Sequence, residues 1–210
     1  EVTLLRLYLV RHGQTEWNIQ KRMQGWKDSA LTEQGVNNAI ALGKRLEGVE
    51  FVAAYSSTSE RTIETATLII GKRNLPISTN ENLREMYLGE WEGKTHEEIK
   101  VSYPEQYKNF GENPALYEPA GGETFEQLTN RAINVLNYII SKHESGNILV
   151  IPHSVILKSL LMHAKGRDIT DLWAPPFIHD TSLSIMEIKN GEYCILSEGD
   201  IAHLDKVTIS

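Results

Sequence analysis

The chain has 210 residues and a formal net charge of -7, with 40% hydrophobic and 23% charged residues, which is typical of a globular protein with a sizeable core. The acidic balance and the lack of any basic run argue against nucleic-acid and anionic-membrane partners, because both require a basic surface. No apolar stretch is long enough to span a bilayer and no signal peptide is visible, so we expect a cytoplasmic protein without membrane association.

The first predicted elements are a buried strand over Leu4 to Val10 and a helix that begins near Thr32. The strand is short and apolar, and it ends at a charged residue followed by Gly13, which is typical of a buried strand that stops in a turn. Thr32 is a favourable N-cap, and Gly48 is the predicted end of the helix. The predicted inner face of this helix consists of Val36, Ala39, Ile40, Gly43 and Leu46.

The middle of the chain repeats the order of strand and helix. Phe51 to Tyr55 is a second short apolar run, and Ser56 to Ser59 supply caps for the next helix. The inner face of that helix is predicted to consist of Ile63, Ala66, Ile69 and Ile70. A longer helix is predicted from Thr124 to His143, where Thr124 and Gln127 fit a capping box.

The last third of the chain adds a strand, a helix and a hairpin. Asn147 to Ile151 is a third buried strand, and a helix follows over about Val155 to Ala164. Ser182 to Ile188 and Glu192 to Ser197 are predicted strands joined by Asn190-Gly191, a strong hairpin signal.

The alternation of strands and helices predicts an α/β fold, a three-layer α/β/α sandwich with a mostly parallel central sheet and at least one antiparallel edge strand. Residues 86–122 break the alternation and are rich in glycine, proline and aromatic residues. They are predicted to form a lid-like insertion with short helices within a single domain over residues 1–210, rather than an interdomain linker. The one cysteine, Cys194, cannot form an internal disulfide and is predicted to pack as a small hydrophobic residue in the last strand.

Three of the predicted strands are followed by side chains suited to an anion. Arg11 and His12 follow the first strand, a Ser-rich turn and Arg61 follow the second, and His153 follows the third. Ligands of open parallel sheets bind outside the carboxyl ends of the strands, so we expect these four side chains to line one pocket. Two guanidinium groups and two imidazoles suit a dianionic phosphoryl group. Each residue alone is more often structural, and the prediction depends on their repetition.

Residues 9–18 read LVRHGQTEWN, and this segment resembles the RHG signature of the histidine phosphatase superfamily, also called the phosphoglycerate mutase-like family. Other segments are similar to the family pattern in the same order, and the resemblance covers about residues 6 to 205. These segments are residues 24–26, 31–35, 56–66, 83–93 and 119–123. The resemblance implies a phosphoglycerate mutase-like fold.

The resemblance also implies site roles. His12 is the implied nucleophile that carries the phosphoryl group, and Glu85 is the implied acid that protonates the leaving oxygen and then activates water. The implied catalytic residues are therefore His12, Glu85, Arg11, Arg61 and His153, and the implied phosphate or substrate contacts are Arg11, Asn18, Gln24, Gly25, Arg61, His153 and Ser154. The family usually has glycine at the position of Ser154. Without the resemblance, the acid remains open among Glu81, Glu85, Glu90 and Glu92.

The implied activity is hydrolysis of a small phosphorylated metabolite through phosphohistidine, by an acid-type histidine phosphatase that needs no metal and no cofactor. Covalent catalysis divides the displacement into two steps, and the arginines can supply the positive charge that Mg²⁺ supplies elsewhere. The Gly13 carbonyl is expected to fix the tautomer of His12. The sequence does not indicate an oligomeric state.

Two alternatives remain, a phosphoglycerate mutase and a non-catalytic phosphate-binding module. Mutases of the family typically carry a longer insertion that begins with Glu-Arg-His-Tyr, whereas Glu85 is followed here by Met-Tyr-Leu-Gly, which resembles the phosphatase branch. The complete set of histidines, arginines and acid argues against a binding module. The aromatic residues of the insertion either form a partly apolar pocket or pack the insertion itself, and these residues are Tyr87, Trp91, Tyr103, Tyr107, Phe110 and Tyr117.

Overall fold

The computed structural model describes residues 3–204, which form one six-stranded sheet with helices on both faces. The strands are β1 (Leu4–Val10), β2 (Phe51–Ser56), β3 (Ile77–Thr79), β4 (Gly146–Ile151), β5 (Leu183–Lys189) and β6 (Glu192–Asp200). The helices are α1 (Glu16–Ile19), α2 (Glu33–Arg45), α3 (Glu60–Ile70), α4 (His96–Ser102), α5 (Pro104–Glu112), α6 (Phe125–Lys142) and α7 (Ser154–Ala164). Within residues 3–204, every helix is too short or too polar to traverse a bilayer.

The sheet has the strand order β3-β2-β4-β1-β5-β6. The first four strands in this order are parallel to one another, β5 runs antiparallel to its neighbour β1, and β6 runs antiparallel to its neighbour β5. The β5–β6 turn places Asn190 at φ 50 and Gly191 at φ 80, the left-handed pair that a two-residue hairpin turn requires. The predicted mostly parallel sheet and its antiparallel edge are confirmed. β3 was not predicted, because a strand of three residues is too short to show the alternation of a strand.

The two faces of the sheet bury different helices, because side chains alternate along each strand. Leu5, Leu7 and Leu9 of β1 belong to a core cluster that includes α6 and α7. Tyr8 and Val10 belong to a second cluster that includes α2 and α3. The predicted three-layer α/β/α sandwich is therefore confirmed.

Residues 86–122 form α4, α5 and two short 3-10 helices, so the predicted short helices are present. Trp91 is 0% exposed and belongs to the same core cluster as β1 and α6. Its ring centroid lies 5.3 to 6.4 Å from four aromatic rings of the insertion, those of Tyr103, Tyr107, Phe110 and Tyr117. The insertion aromatics therefore serve mainly to pack the insertion onto the core.

Three local predictions are wrong. Ile40 is 39% exposed, because α2 buries the arc through Ala39 and Leu42. The helix ends at Arg45 with Leu46 as its C-cap, before Gly48. Cys194 lies in β6 as predicted but is exposed, because β6 is an edge strand that buries neither face fully.

Trp91→Ala is expected to lower the free energy of unfolding by about 3–5 kcal/mol, because it opens a cavity in the shared core. Val101→Ala is the matched control, since Val101 lies in the same insertion and is 79% exposed, and it should change stability by less than about 0.5 kcal/mol. Urea unfolding followed by circular dichroism measures both. Equal effects of the two substitutions would contradict the burial of the insertion in the main core.

Candidate active site

Three adjacent parallel strands deliver the candidate residues to one edge of the sheet. β1 runs into Arg11 and His12, β2 runs into the turn that begins α3 and carries Arg61, and β4 runs into His153. Since β2, β4 and β1 are neighbours in the sheet, their carboxyl ends lie side by side. The structure thus brings together the four side chains that the sequence placed in one pocket.

His12 is 4% exposed and has one ring nitrogen committed to the backbone. Its Nδ1 donates to the Gly13 carbonyl at 2.8 Å, as expected, so the lone pair lies on Nε2. Burial, followed by the charges of Arg61 and Arg11, lowers the pKa of His12 well below its ordinary value. The ring is therefore neutral at neutral pH, with a lone pair available for nucleophilic attack.

Arg61 is 1% exposed, and all five of its N–H groups have an acceptor within residues 3–204. Nε donates to His12 Nε2 at 3.3 Å, Nη1 to the Lys27 carbonyl at 2.6 Å and Asp28 Oδ1 at 2.8 Å, and Nη2 to the Gly25 carbonyl at 2.9 Å and His153 Nδ1 at 3.0 Å. The guanidinium thereby joins both histidines to the loop over residues 25–28.

His153 is 1% exposed, and its ring centroid lies 5.3 Å from that of His12. Its Nδ1 accepts from Arg61, so the proton lies on Nε2, which donates to Ser57 Oγ at 2.8 Å. Burial and the charge of Arg61 lower the pKa of His153 well below its ordinary value. His153 lines a neighbouring cavity of about 360 Å³, which shares Gly25 and Glu85 with the cavity that contains His12.

The Glu85 carboxylate lies at the N-terminus of α7. Val155 N donates to Oε2 at 3.1 Å, and Ile156 N and Met86 N donate to Oε1 at 3.2 and 2.8 Å. Glu85 is 8% exposed and shares a cavity with His12, whereas the other acidic candidates do not line that cavity. Those candidates are Glu81, Glu90 and Glu92. Of the four candidates, Glu85 is thus the one that lines this cavity.

The cavity has a volume of about 530 Å³. Of the site residues predicted from the sequence, all except His153 line this cavity. They are Arg11, His12, Asn18, Gln24, Gly25, Arg61, Glu85 and Ser154. Arg11 Nη1 donates to the Ile178 carbonyl at 2.7 Å, while its buried Nε finds no partner within residues 3–204. Arg11 therefore retains a donor for a ligand.

Asn18 and Gln24 present amide groups whose oxygens are already engaged. Asn18 Oδ1 accepts from Thr15 N at 2.9 Å and Thr15 Oγ1 at 3.0 Å, and Gln24 Oε1 accepts from Ser29 Oγ at 2.7 Å. These contacts leave the NH2 groups as donors for an anion. Gly25 has φ +57, and a Cβ there would lie 2.2 Å from Glu92 Oε2, so the position requires glycine.

Several lining residues have no role in the sequence analysis. They are Arg22, Met23, Leu88, His96, Lys158, Trp173, Pro175, Pro176, Phe177 and Ile178. Phe110, one of the insertion aromatics, also lines the cavity. Lys158 is 7% exposed, burial lowers its pKa, and its Nζ donates to the carbonyls of Ala174 at 2.6 Å and Pro176 at 2.9 Å. The signal that could have predicted a buried lysine is its position one turn after Ser154 in a mostly apolar helix.

Residues 173 and 175–178 form one side of the cavity, which we name the apolar wall. They belong to an irregular segment between α7 and β5, and an irregular segment has no periodic pattern from which its burial could be predicted. In the described part of the chain, no cluster of three or more His, Cys, Asp and Glu side chains is arranged to hold a metal ion.

Known proteins resemble this chain in sequence and in fold. The sequence profile of the histidine phosphatase superfamily (branch 1) matches residues 7–200. The crystallised Bacillus stearothermophilus YhfR is 45% identical, with a TM-score of 0.93, and the alignment covers 96% of this chain and 100% of that chain. The metal-independent phosphoserine phosphatase of Arabidopsis thaliana is 31% identical over 99% of this chain and 86% of its own length.

A 2,3-bisphosphoglycerate-dependent phosphoglycerate mutase of Bartonella quintana is also similar, with 34% identity over 76% of this chain and 81% of its own length. The profile match covers residues 7–200, and the relatives carry phosphatase and mutase names. The chain belongs to the histidine phosphatase superfamily.

Proposed function

We propose that this protein is a phosphatase that hydrolyses phosphomonoesters of small metabolites through a phosphohistidine. The observation that carries the proposal is a neutral His12 with its Nε2 lone pair beside Arg61, in the same cavity as Arg11 and Glu85. The cavity volume of about 530 Å³ lies within the range of about 300–1,000 Å³ usual for small-molecule sites. Relatives that carry phosphatase names support the same reaction.

In the first step, the Nε2 lone pair of His12 attacks phosphorus and the ester P–O bond breaks. Protonated Glu85 gives its proton to the departing oxygen, which leaves as an alcohol. For this attack, the N–H of Arg61 Nε releases the lone pair of His12 Nε2 and donates to a phosphoryl oxygen instead. The lone pair cannot accept this hydrogen bond and attack phosphorus at the same time. The Gly13 carbonyl keeps accepting the hydrogen bond from the Nδ1–H of the phosphohistidine and so stabilises the positive charge on the ring.

In the second step, water attacks the phosphorus of the phosphohistidine and the P–N bond breaks. The Glu85 carboxylate takes the water proton, which restores its protonated form for the next cycle. His12 regains its lone pair, and inorganic phosphate leaves. The balance is one ester and one water consumed, and one alcohol and one phosphate formed.

The proposed chemistry needs no metal ion. Arg11 and Arg61 bring two permanent positive charges to the cavity, and charge neutralisation with correct positioning is what phosphoryl transfer chiefly requires. The similarity to a phosphatase named as metal-independent supports this part of the proposal. Hydrolysis of 4-nitrophenyl phosphate in the presence of EDTA tests it, and loss of activity restored by added metal would contradict it.

A phosphoglycerate mutase is the alternative function, because some relatives carry mutase names. A mutase returns the phosphoryl group to a second hydroxyl, whereas a phosphatase transfers it to water. Assays with 2- and 3-phosphoglycerate separate the two, since a mutase interconverts them and a phosphatase releases inorganic phosphate. A protein that acts on neither phosphoglycerate and does not hydrolyse 4-nitrophenyl phosphate would favour a phosphate-binding module.

His12→Ala is expected to abolish turnover and acid-labile phosphate labelling together, because the nucleophile is lost. His143→Ala is the matched control, since His143 caps α6 and does not line the cavity. Rapid quenching with ³²P-labelled substrate measures the labelling. Label that persists on the His12 variant would assign the nucleophile elsewhere.

Glu85→Gln is expected to slow phosphorylation of His12 by alkyl phosphates by about 10²–10⁴-fold, because an alkoxide leaves poorly without a proton. Glu81→Gln is the control, since its side chain is 77% exposed. Single-turnover kinetics with alkyl phosphates measures the effect. Similar rates for the Glu85 variant and the wild type would exclude Glu85 as the acid.

The His12 ring is expected to stay neutral as the pH falls through its ordinary pKa of 6.5, because burial and two guanidinium groups lower that pKa. The nucleophile then remains competent in mildly acidic solution, which is the acid-type behaviour that we propose. NMR of ¹⁵N-histidine-labelled protein, assigned with His12→Ala, measures the titration. A midpoint near 6.5 would contradict the structure.

The same pKa shift affects folding. The unfolded chain takes up a proton on His12 near pH 6.5, whereas the folded chain does not. The stability linked to this residue is therefore present above pH 6.5 and is lost as the pH falls towards the folded-state pKa.

A further inference from the structure

Arg131 lies on α6 and donates with all five N–H groups of its guanidinium, although it does not line the cavity. Its side chain is 15% exposed. The acceptors are the carbonyls of Asn82 at 3.0 Å, Arg84 at 2.7 Å and Glu85 at 3.0 Å, together with Glu123 Oε1 at 2.5 Å and Glu123 Oε2 at 3.4 Å. Three of these contacts hold the backbone of the segment that carries the acid.

Glu123 holds the same segment from the other end. Its Oε1 accepts from Tyr87 N at 2.8 Å, and its own N–H donates to the Tyr87 carbonyl at 2.8 Å. The Glu85 carbonyl receives a second donor, Trp26 Nε1, at 2.8 Å. The Arg131–Glu123 pair therefore fixes the backbone on both sides of Glu85.

The segment needs such contacts because residues 84–88 belong to neither a helix nor a strand. Regular backbone pairing does not set the position of Glu85. In contrast, Arg131 stands on an 18-residue helix whose inner face is buried in the main core. The helix is a rigid support from which a guanidinium can reach several carbonyls of an irregular segment at once.

We propose that Arg131, with Glu123, is a positioning residue that holds the general acid Glu85 against the N-terminus of α7 and towards the leaving oxygen. The proposal rests on the function proposed above. Without the pair, the backbone of residues 82–87 loses four hydrogen bonds to side chains. Glu85 then occupies the geometry for proton transfer for a smaller fraction of the time.

The test uses the dependence of the rate on the leaving group. A general acid matters little for 4-nitrophenolate, which leaves without a proton, and matters strongly for an alkoxide. We therefore compare kcat/KM for aryl and alkyl phosphates across a range of leaving-group pKa values. A loss of packing alone would lower all of these rates together, whereas a displaced acid steepens their slope against leaving-group pKa.

Arg131→Lys keeps the charge but cannot reach three carbonyls and a carboxylate with one ammonium group. It should lower kcat/KM for alkyl phosphates by at least about tenfold, in the direction of Glu85→Gln, and should leave 4-nitrophenyl phosphate within about threefold of the wild type. Glu123→Gln removes the other half of the pair and should steepen the slope in the same direction. It also serves as the test if Arg131→Lys does not fold, as judged by circular dichroism.

Arg73→Lys is the matched control. The Arg73 guanidinium also donates to backbone carbonyls, those of Leu46 and Val49, and it does not line the cavity. The slope against leaving-group pKa should be that of the wild type. A steepened slope in this variant would show that any lost arginine–carbonyl contact has the effect, and would overturn the proposal.

The remaining outcomes separate the positioning role from the proposed function. Unchanged slopes in both Arg131→Lys and Glu123→Gln, or uniform losses for every leaving group, overturn the positioning role if Glu85→Gln still steepens the slope. A wild-type protein that hydrolyses no phosphomonoester overturns the proposed function itself. If Glu85→Gln has the slope of the wild type, Glu85 is not the general acid, and the positioning role of Arg131 and Glu123 is overturned as well.

Discussion

The buried guanidinium of Arg61 is the interaction on which the rest of the site depends. A cation that is 1% exposed is tolerated only if its N–H groups are satisfied, because an unpaired buried charge costs several kcal/mol. Its acceptors come from the end of β1, the end of β4 and residues 25–28. Asp28 is in turn held by Glu60 N at the start of α3. The same contacts therefore hold these segments in place and set the geometry of the candidate catalytic groups.

The same arrangement explains why the two central histidines are neutral. Burial and nearby guanidinium charge lower the pKa of both His12 and His153, so the positive charge of the site resides on arginine. Because the charge resides on arginine, His12 stays unprotonated at Nε2, which the nucleophilic role that we propose requires. Glu85, held at the N-terminus of α7, supplies the one carboxylate among the lining residues.

The sequence predicted the parts of the molecule that obey a period or a strand-end rule. Arg11, His12, Arg61 and His153 were placed together because neighbouring parallel strands end at one edge. The residues alone did not select Glu85, because its contacts with α7 span about seventy positions of the chain; the resemblance selected it.

Other features had no local signal. β3 is too short to show alternation, and the exposure of Cys194 depends on the edge position of β6. The apolar wall is irregular, and Arg131 looks in the sequence like any polar residue on the outer face of a helix. Its role depends on carbonyl groups that lie forty-six to forty-nine positions away.

The apolar wall comes from one segment that contributes neither the nucleophile nor the acid. Lys158 anchors it through two carbonyls, while the proposed nucleophile follows β1 and the proposed acid lies in the segment over residues 84–88. Exchange of the wall side chains would therefore leave the proposed nucleophile and the proposed acid in place. This separation gives a family a simple route to new substrates, in which recognition diverges while a single reaction centre is inherited unchanged.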